Sequence, residues 1–176
     1  MISLEEMEVK NLGILIIDMQ DEFLDYIKGD KRKLLEAQYK VLDFAIEYII
    51  PVINIRERHH GRINTDLARK LREVPRRQYK IKECNNSFFQ SNLDIGFNDR
   101  FVDHIWMMGL YANMCVLESG KGARRHGFNV LISLDTVGAP EKTYNWENPS
   151  KPKKVDMKVV KRNYMKEGII FRDNYT

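Results

Sequence analysis

The stretch HIWMMGLYANMCVLESGKGARRHGFNVLISLD, His104–Asp135, decides the fold because two apolar runs flank a helical pattern within it. The runs are His104–Leu110 and Asn129–Asp135. Both are apolar almost throughout rather than alternating, which is typical of parallel strands covered on both faces. Between them, the pattern predicts a helix that is N-capped by Asn113 and stops at Gly127. The stretch therefore predicts a strand–helix–strand unit of an α/β protein.

Strands and helices alternate along the rest of the chain as well. Four further apolar runs predict buried strands, and two amphipathic stretches predict helices. The strands are Leu12–Asp18, Pro51–Arg56, Tyr79–Lys82 and Gly168–Phe171, and the helices are Lys31–Ile49 and Pro152–Gly168. Together they predict a Rossmann-like, three-layer α/β/α fold with a central, mostly parallel six-stranded sheet.

Two long segments, Glu57–Gln78 and Thr136–Pro152, show no clear period and are predicted to be irregular. Both are longer than ordinary connections in α/β proteins, and loops of that length are often functional. The second contains Trp146, which is a candidate to close over a nearby site. These segments therefore mark where binding residues are expected.

The composition is that of a globular protein. The chain has 176 residues, of which 43% are hydrophobic and 31% are charged, and these values predict a single domain over residues 1–176. No apolar run approaches the ~20 residues of a membrane-spanning helix. Cys84 and Cys115 are too few for a disulfide framework or a zinc site. These features favour a reduced, cytoplasmic compartment and no membrane partner.

The basic residues are concentrated in two stretches, residues 56–82 and 151–162, and the formal net charge is +4. Neither stretch interleaves aromatic residues with the charges, as a single-strand binder would. Solvated surface is therefore favoured over nucleic-acid binding, and the expected partner is a small molecule.

Polar side chains end three of the predicted strands or follow them closely. The first strand ends in Asp18, the third in Lys82, and Cys115 lies one short turn after the fourth. Ligands of open α/β sheets bind outside the carboxyl ends of the strands. Each residue also has a non-catalytic interpretation: Asp18 could cap a loop, Lys82 could be a surface lysine, and Cys115 could be a buried core residue. Lys80 is a rival to Lys82. The convergence of an acid, a cation and a thiol favours a catalytic site.

The predicted position of Cys115 suggests a nucleophile. A helix N-terminus carries unpaired N–H groups and partial positive charge, which lower the pKa of a thiol and favour the thiolate. Lys82 would stabilise the thiolate further, and Asp18 would accept the thiol proton and pass it to a leaving group. Backbone N–H groups near the cysteine would bind the oxyanion of a tetrahedral intermediate.

Three ordered motifs resemble the isochorismatase-like cysteine hydrolases, which include nicotinamidases, N-carbamoylsarcosine amidases and ureidoacrylate amidohydrolases. LGILIIDMQDEFL resembles the opening strand of that family and its Asp-x-Gln-x-x-Phe turn. KECNNSFFQSNLD resembles the lysine segment, whose spacing selects Lys82 over Lys80. GLYANMCVLESGKGARRHGFNVLISLDTV resembles the cysteine segment. The resemblance covers about residues 12–137.

The resemblance implies the same fold and an Asp18–Lys82–Cys115 triad that cleaves the C–N bond of a small amide, ureido or carbamoyl substrate through a thioester. It also implies a cis peptide between Leu110 and Tyr111, which directs the Tyr111 N–H to an oxyanion hole beside the Cys115 N–H. Tyr111 is bulky where the family has a small residue, and we expect it to narrow the pocket. Expected substrate contacts are Gln20, Phe23, Phe88 and Leu110.

The resemblance implies no cofactor and a homo-oligomer, either a dimer or a tetramer. The metal-binding nicotinamidases carry an Asp-x-His pattern, whereas His59 and His60 are adjacent in a charged loop, so no metal is expected. The alternatives are a non-catalytic binding or interaction protein on the same fold, an isochorismatase-type hydrolase, and a thiol redox protein that uses Cys84 and Cys115.

Overall fold

A computed structural model describes residues 11–143 and 150–172. Its strands are β1 (Leu12–Ile17), β2 (Val52–Glu57), β3 (Arg77–Lys82), β4 (His104–Leu110), β5 (Asn129–Gly138), β6 (Lys142–Thr143), β7 (Lys153–Lys154) and β8 (Ile170–Arg172). Its helices are α1 (Asp21–Leu24), α2 (Lys31–Glu47), α3 (Thr65–Leu71), α4 (Leu93–Asn98), α5 (Cys115–Arg125) and α6 (Met157–Lys166). No described helix is long and apolar enough to cross a membrane.

The central sheet has six parallel strands in the order β3-β2-β1-β4-β5-β8. This order confirms the predicted parallel sheet and has the pattern of a Rossmann-like fold. All six residues of β1 are buried, and β4 is buried except at its first residue, which explains their continuous apolar sequences. The strand order reverses between β1 and β4, and ligands of such sheets bind at this switch point.

Helices cover both faces of the sheet and make the three layers. On one face, residues of β1, β2, β4 and β5 pack with α4, α5 and α6 in a core that includes Phe97, Val116 and Tyr164. On the other face, alternate residues of the same strands pack with α1, α2 and α3 around Val41 and Leu67. The strand period of two therefore divides the apolar side chains between the two cores.

Gly109 lies where the carboxyl ends of β1 and β4 pair with each other. Gly109 pairs with Ile17, has a φ of +127°, and would place a Cβ atom 2.1 Å from the Ile17 carbonyl oxygen. Only glycine tolerates this conformation and this approach. The residue therefore brings the two strand ends together beside the predicted site.

The sequence predicted the C-terminal end of α5 correctly but not its N-terminal cap. The stop at Gly127 is confirmed, because this residue has a φ of +87° and the Phe128 N–H bonds to the Ala123 carbonyl oxygen. The predicted Asn113 cap is wrong: α5 begins one residue after Met114, which makes no side-chain capping bond. Four residues, Tyr111–Met114, separate β4 from α5, so Asn113 lies one residue before the capping position.

The two segments predicted to be irregular contain regular structure. In the first, Asn64 caps α3 by accepting a hydrogen bond from the Leu67 N–H, and both leucines of this helix are buried. In the second, Thr136–Gly138 extends β5, and β6 pairs with β7 as an antiparallel ribbon. Residues 144–149, and with them Trp146, lie outside the described residues.

Candidate active site

Asp18 lies directly after β1, at the switch point of the sheet. Its backbone N–H donates to the Ile55 carbonyl oxygen at 2.9 Å, and its φ is +52°, which is uncommon for a residue with a side chain. The residue is 2% exposed. Its carboxylate is therefore held in the interior, where it requires a partner.

The ammonium group of Lys82 is that partner. Its Nζ lies 2.7 Å from Asp18 Oδ2 and donates to Glu57 Oε2 at 3.1 Å and to the Cys84 carbonyl oxygen at 3.0 Å. It also lies 3.5 Å from Cys115 Sγ. The Lys82 side chain is completely buried. The structure thus brings the carboxylate of β1, the thiol of α5 and two further acceptors around a single buried cation.

Lys80, the rival two residues earlier, lies elsewhere. Its Nζ donates to the carbonyl oxygens of Ser91 and Asn92, at 2.9 and 3.1 Å. It therefore anchors the segment before α4, and Lys82 alone of the two contacts Asp18 and Cys115.

Cys115 is the first residue of α5, and its Sγ donates to Asn85 Oδ1 at 3.4 Å. Four residues earlier in the chain, the peptide bond between Leu110 and Tyr111 is cis. In the turn that joins β4 to α5, the N–H groups of Met114 and Val116 donate to the Tyr111 carbonyl oxygen, and the Ala112 N–H donates to Gly138. The N–H groups of Tyr111, at the start of the turn, and of Cys115, directly after it, are not the donors in any of these bonds.

The pKa of the Cys115 thiol is shifted upward, which is the opposite of the direction that the sequence predicts. Burial raises the pKa of Cys115 to about 12; the Asp18 carboxylate adds to this rise, and the Lys82 ammonium opposes it. Burial also raises the pKa of Asp18 above 3.8, although Lys82 acts to lower it. Burial acts to lower the pKa of Lys82, but its negative neighbours outweigh this effect and raise it. The group that holds the proton at rest is therefore the thiol.

The thiol opens into a cavity of about 290 Å³. Phe23 and Tyr111 form an aromatic wall: their ring centroids are 5.7 Å apart at 71°, and the Tyr111 hydroxyl donates to the Phe23 carbonyl oxygen at 2.9 Å. The other lining residues are Asp18, Glu57, His60, Glu83, Cys84, Asn85, Leu110, Met114 and Cys115. The bulky Tyr111 side chain thus narrows the cavity from one side, with its hydroxyl bonded to the neighbouring segment.

Of the four expected substrate contacts, Phe23 and Leu110 line the cavity, whereas Gln20 and Phe88 do not. Gln20 is fully buried; its Nε2 donates to the carbonyl oxygens of Glu57, His60 and Gly61, and its Oε1 accepts from the Glu57 N–H. Its polar atoms are thereby occupied in supporting the segment after β2.

Phe88 lies in the core of the α5 face. It is 5% exposed and packs against the rings of His126 and Phe128. It is therefore a core residue rather than part of the cavity wall.

Two polar residues of the site were missing from the sequence prediction. Glu57 ends β2 and shares the Lys82 ammonium, and Asn85 accepts from the thiol. Glu57 was detectable, because it follows an apolar strand in the same way as Asp18 and Lys82. Asn85 lies in an irregular segment, where no periodic pattern indicates which side chain faces the thiol.

The histidine pair lies in the segment that follows β2. His60 Nδ1 lies 3.1 Å from Glu22 Oε2, and His59 is exposed. In residues 11–143 and 150–172, no group of three His, Cys, Asp or Glu side chains is arranged to hold a metal ion.

Comparison with solved structures supports the fold. A nicotinamidase from Staphylococcus aureus has a TM-score of 0.75 and 13% sequence identity, over 93% of this chain and 98% of that chain. An N-carbamoylsarcosine amidase from Thermoplasma acidophilum has a TM-score of 0.69 and 18% identity, over 94% and 98%. An octameric hydrolase of unknown specificity from Escherichia coli has a TM-score of 0.75 and 14% identity, over 95% and 77%.

No curated protein matches the chain by sequence. The family model that describes the isochorismatase domain matches residues 13–148, which is most of the chain. This range includes Asp18, Lys82 and Cys115. The chain therefore belongs to the isochorismatase family.

Proposed function

We propose that the protein is a cysteine amidohydrolase that cleaves the C–N bond of a small amide, ureido or carbamoyl compound through a thioester. One observation carries the proposal. The buried Lys82 ammonium lies 2.7 Å from a carboxylate oxygen of Asp18 and 3.5 Å from Cys115 Sγ, and both Asp18 and Cys115 line a cavity. An acid–base group and a nucleophile thus contact the same cation, and covalent hydrolysis requires such a nucleophile beside a group that can accept its proton.

The first step is attack by Cys115 on the substrate carbonyl. Since the resting thiol is protonated, its proton passes to Asp18 as Sγ bonds to the carbonyl carbon. The raised pKa of Asp18 suits this exchange, because it brings the carboxylate closer in basicity to the thiolate. Lys82 remains charged throughout and stabilises whichever partner carries the negative charge.

The second step releases the amine. The carbonyl oxygen of the tetrahedral intermediate is negatively charged, and the N–H groups of Tyr111 and Cys115 are the donors that we assign to it. Asp18 then returns the proton to the substrate nitrogen, the C–N bond breaks, and ammonia or an amine leaves. The acyl group remains on Sγ as a thioester.

Water completes the cycle. Asp18, again a carboxylate, accepts a proton from a water molecule that attacks the thioester carbonyl, and the Sγ–carbon bond breaks to give a carboxylic or carbamic acid. The proton on Asp18 returns to the Cys115 sulfur. The site is thereby restored with a neutral thiol and the Asp18–Lys82 ion pair.

The cavity limits the size of the substrate. Its volume of about 290 Å³ lies at the lower end of the range for small-molecule sites. Its aromatic wall of Phe23 and Tyr111 favours a flat substrate, since rings pack well against the faces and edges of other rings. These properties support a small, planar amide.

We also propose that the protein forms a homo-oligomer. A structurally similar hydrolase from Escherichia coli is octameric. Large apolar side chains are exposed here, and Phe101, at 83%, is the most exposed of them. Burial of such surface between copies would be favourable. Size-exclusion chromatography with light scattering measures the state directly, and a strictly monomeric protein would contradict the proposal.

An ammonia-release screen tests the activity. The compounds are nicotinamide, carbamoyl, ureido and maleamate-type amides, and the variants are Cys115→Ala and its matched control, Cys84→Ala, which alters the other cysteine of the same cavity. We expect Cys115→Ala to reduce ammonia release at least about 10⁴-fold, as removal of a nucleophile does, and Cys84→Ala to retain it within severalfold. Equal rates for the two variants would contradict the proposal.

A further inference from the structure

A second cavity lies on the other side of the segment that follows β2. It has a volume of about 800 Å³ and is bounded by β2, β3, α3 and residues 58–63, which together we call the basic groove. Its lining residues include four arginines, one lysine and two histidines, but no aspartate or glutamate. The catalytic triad is absent from its walls, so the groove is a separate site.

Three of the groove arginines have no carboxylate partner among the described residues. Arg58 pairs with Glu83, and Lys80 is bound to carbonyl oxygens. Arg56, by contrast, bonds only to the carbonyl oxygens of Glu57 and Arg58 in the part of the chain that the structure describes. Arg62 and Arg72 are exposed and form no ion pair with any residue in 11–143 or 150–172. The groove therefore carries an excess of positive charge that is available to an anion.

A buried polar side chain lines the same groove. Asn54 lies in the middle of β2, is 2% exposed, and has no hydrogen-bond partner for its Oδ1 among the described residues. An unpaired acceptor in the interior is costly, and in native proteins it usually has a partner. A ligand that carries a hydroxyl or N–H donor in addition to its anionic group would supply one.

The groove also presents one exposed aromatic ring. Tyr79 pairs in register with Asn54 on the neighbouring strand, so the two side chains share a face of the sheet, and Tyr79 is 50% exposed. A single ring can stack on one base. A strand of nucleic acid usually requires several rings in succession, so the groove suits a mononucleotide better than a strand.

The loop that carries the cations is held in place before any ligand binds. Gln20 binds three of its carbonyl oxygens, and Glu22 accepts from the Gly61 N–H at 3.0 Å. With the backbone held from the inside, Arg58 and Arg62 remain exposed to solvent. Preorganisation of this kind lowers the entropic cost of binding.

We propose that the basic groove binds a phosphate ester of mononucleotide size. The phosphates lie against Arg56, Arg62 and Arg72, which suit the planar, bidentate recognition of phosphate oxygens. A sugar hydroxyl or base N–H donates to Asn54, and the base stacks on Tyr79. No chemical step is assigned to the groove, and the proposal does not depend on the amidohydrolase activity.

Calorimetric titration of the full chain with ADP, inorganic pyrophosphate and a single-stranded oligonucleotide tests this inference. The double variant Arg62→Glu/Arg72→Glu should weaken ADP binding by about a hundredfold, because two charge-assisted contacts are lost. The control, Lys158→Glu/Arg162→Glu, makes the same charge change on α6 and should bind as wild type. Ammonia release should be unchanged in both variants.

Asn54→Val separates the nucleotide from its phosphates. We expect this variant to bind ADP about fivefold more weakly, through loss of one hydrogen bond, and pyrophosphate as wild type does. Three results would overturn the inference: no saturable ADP binding by the wild type, equal ADP binding by the groove and control variants, or an oligonucleotide that binds more tightly than ADP.

Discussion

The segment of residues 57–62 lies between two cavities that differ in the burial and pairing of their charged residues. On one side, the proposed catalytic cavity of about 290 Å³ is lined by Asp18 and Glu57, whose carboxylates both contact the buried Lys82 ammonium. On the other side, the basic groove of about 800 Å³ presents Arg56, Arg62 and Arg72, which lack carboxylate partners among the described residues, and the last two are exposed. His60 lines both cavities.

The difference follows from the cost of burying charge. A buried ion must be paired, and once paired its protonation responds strongly to its neighbours. The catalytic cavity is therefore suited to moving a proton between Asp18 and Cys115. Exposed arginines remain charged and hydrated without a partner, so the groove is suited to attracting an anion.

The largest effect should come from removing the buried cation. Lys82→Met leaves two carboxylates without a partner, so we expect at least about a 10³-fold loss of ammonia release. The free energy of unfolding should fall by about 3–5 kcal/mol, as it does when one member of a buried ion pair is removed.

Lys80→Met is the matched control for that change, because the two lysines lie two residues apart on β3. Its Nζ binds carbonyl oxygens of the segment before α4, so activity should remain within severalfold of wild type. Ammonia release and urea unfolding of both variants measure the difference. Comparable losses in the two variants would contradict the distinct role of the fully buried Lys82 ammonium.

Gln20→Met should affect both cavities together. The variant leaves the Glu57 N–H and three carbonyl oxygens of the shared segment without their partner, so we expect a loss of about 1–3 kcal/mol in the free energy of unfolding. Ammonia release and ADP binding should both weaken, by about tenfold each. The control is Gln38→Met, which alters another buried glutamine and should reduce stability while leaving ammonia release and ADP binding intact. If Gln38→Met weakened both functions as Gln20→Met does, a specific role of Gln20 in supporting the shared segment would be contradicted.

Glu57→Gln should shift the pH dependence of activity. Burial raises the pKa of Asp18 above 3.8, Lys82 opposes the rise, and the negative charge of Glu57 adds to it. Since Asp18 acts as the base in the proposed mechanism, the acid limb of kcat/KM should lie above pH 3.8 in the wild type. Removal of the Glu57 charge lowers the pKa of Asp18, so the limb should move to lower pH. The control is Glu83→Gln, at an exposed position of the cavity, and a movement toward higher pH in Glu57→Gln would contradict the assignment.

The smallest effect is expected at the aromatic wall. Tyr111→Phe removes the hydrogen bond to the Phe23 carbonyl oxygen, which is worth about 1 kcal/mol, and should raise KM by about fivefold with little change in kcat. Tyr26→Phe alters a tyrosine that is 72% exposed and should change neither constant. A large fall in kcat for Tyr111→Phe would mean that the hydroxyl takes part in the chemistry.

The sequence predicted the parts of the molecule that depend on periodic patterns. Continuous apolar runs indicated the parallel strands, and from the strand ends it followed that Asp18, Lys82 and Cys115 would meet. The helix α3 was missed, although Asn64 followed by Leu67 and Leu71 is a capping residue with an apolar stripe. In that case a strongly basic composition concealed a short amphipathic helix.

Other features depend on three-dimensional packing and were not accessible from the sequence. The pKa of Cys115 is raised because the interior surrounds the thiol, and no local pattern reports that degree of burial. Gln20 lies within the motif that resembles the family's Asp-x-Gln-x-x-Phe turn, yet its hydrogen bonds go to a loop about 40 residues later in the chain. The sharing of one ammonium by Asp18 and Glu57 likewise requires the pairing of β1, β2 and β3.

The covalent role of Cys115 is tested most directly by peptide mapping of acid-quenched enzyme during turnover of an amide that releases ammonia. The account predicts an acyl group on the peptide that contains Cys115, formed and lost on the timescale of turnover and absent in Cys115→Ala, which should also be inactive. Acylation of a different residue, or undiminished turnover by Cys115→Ala, would contradict it.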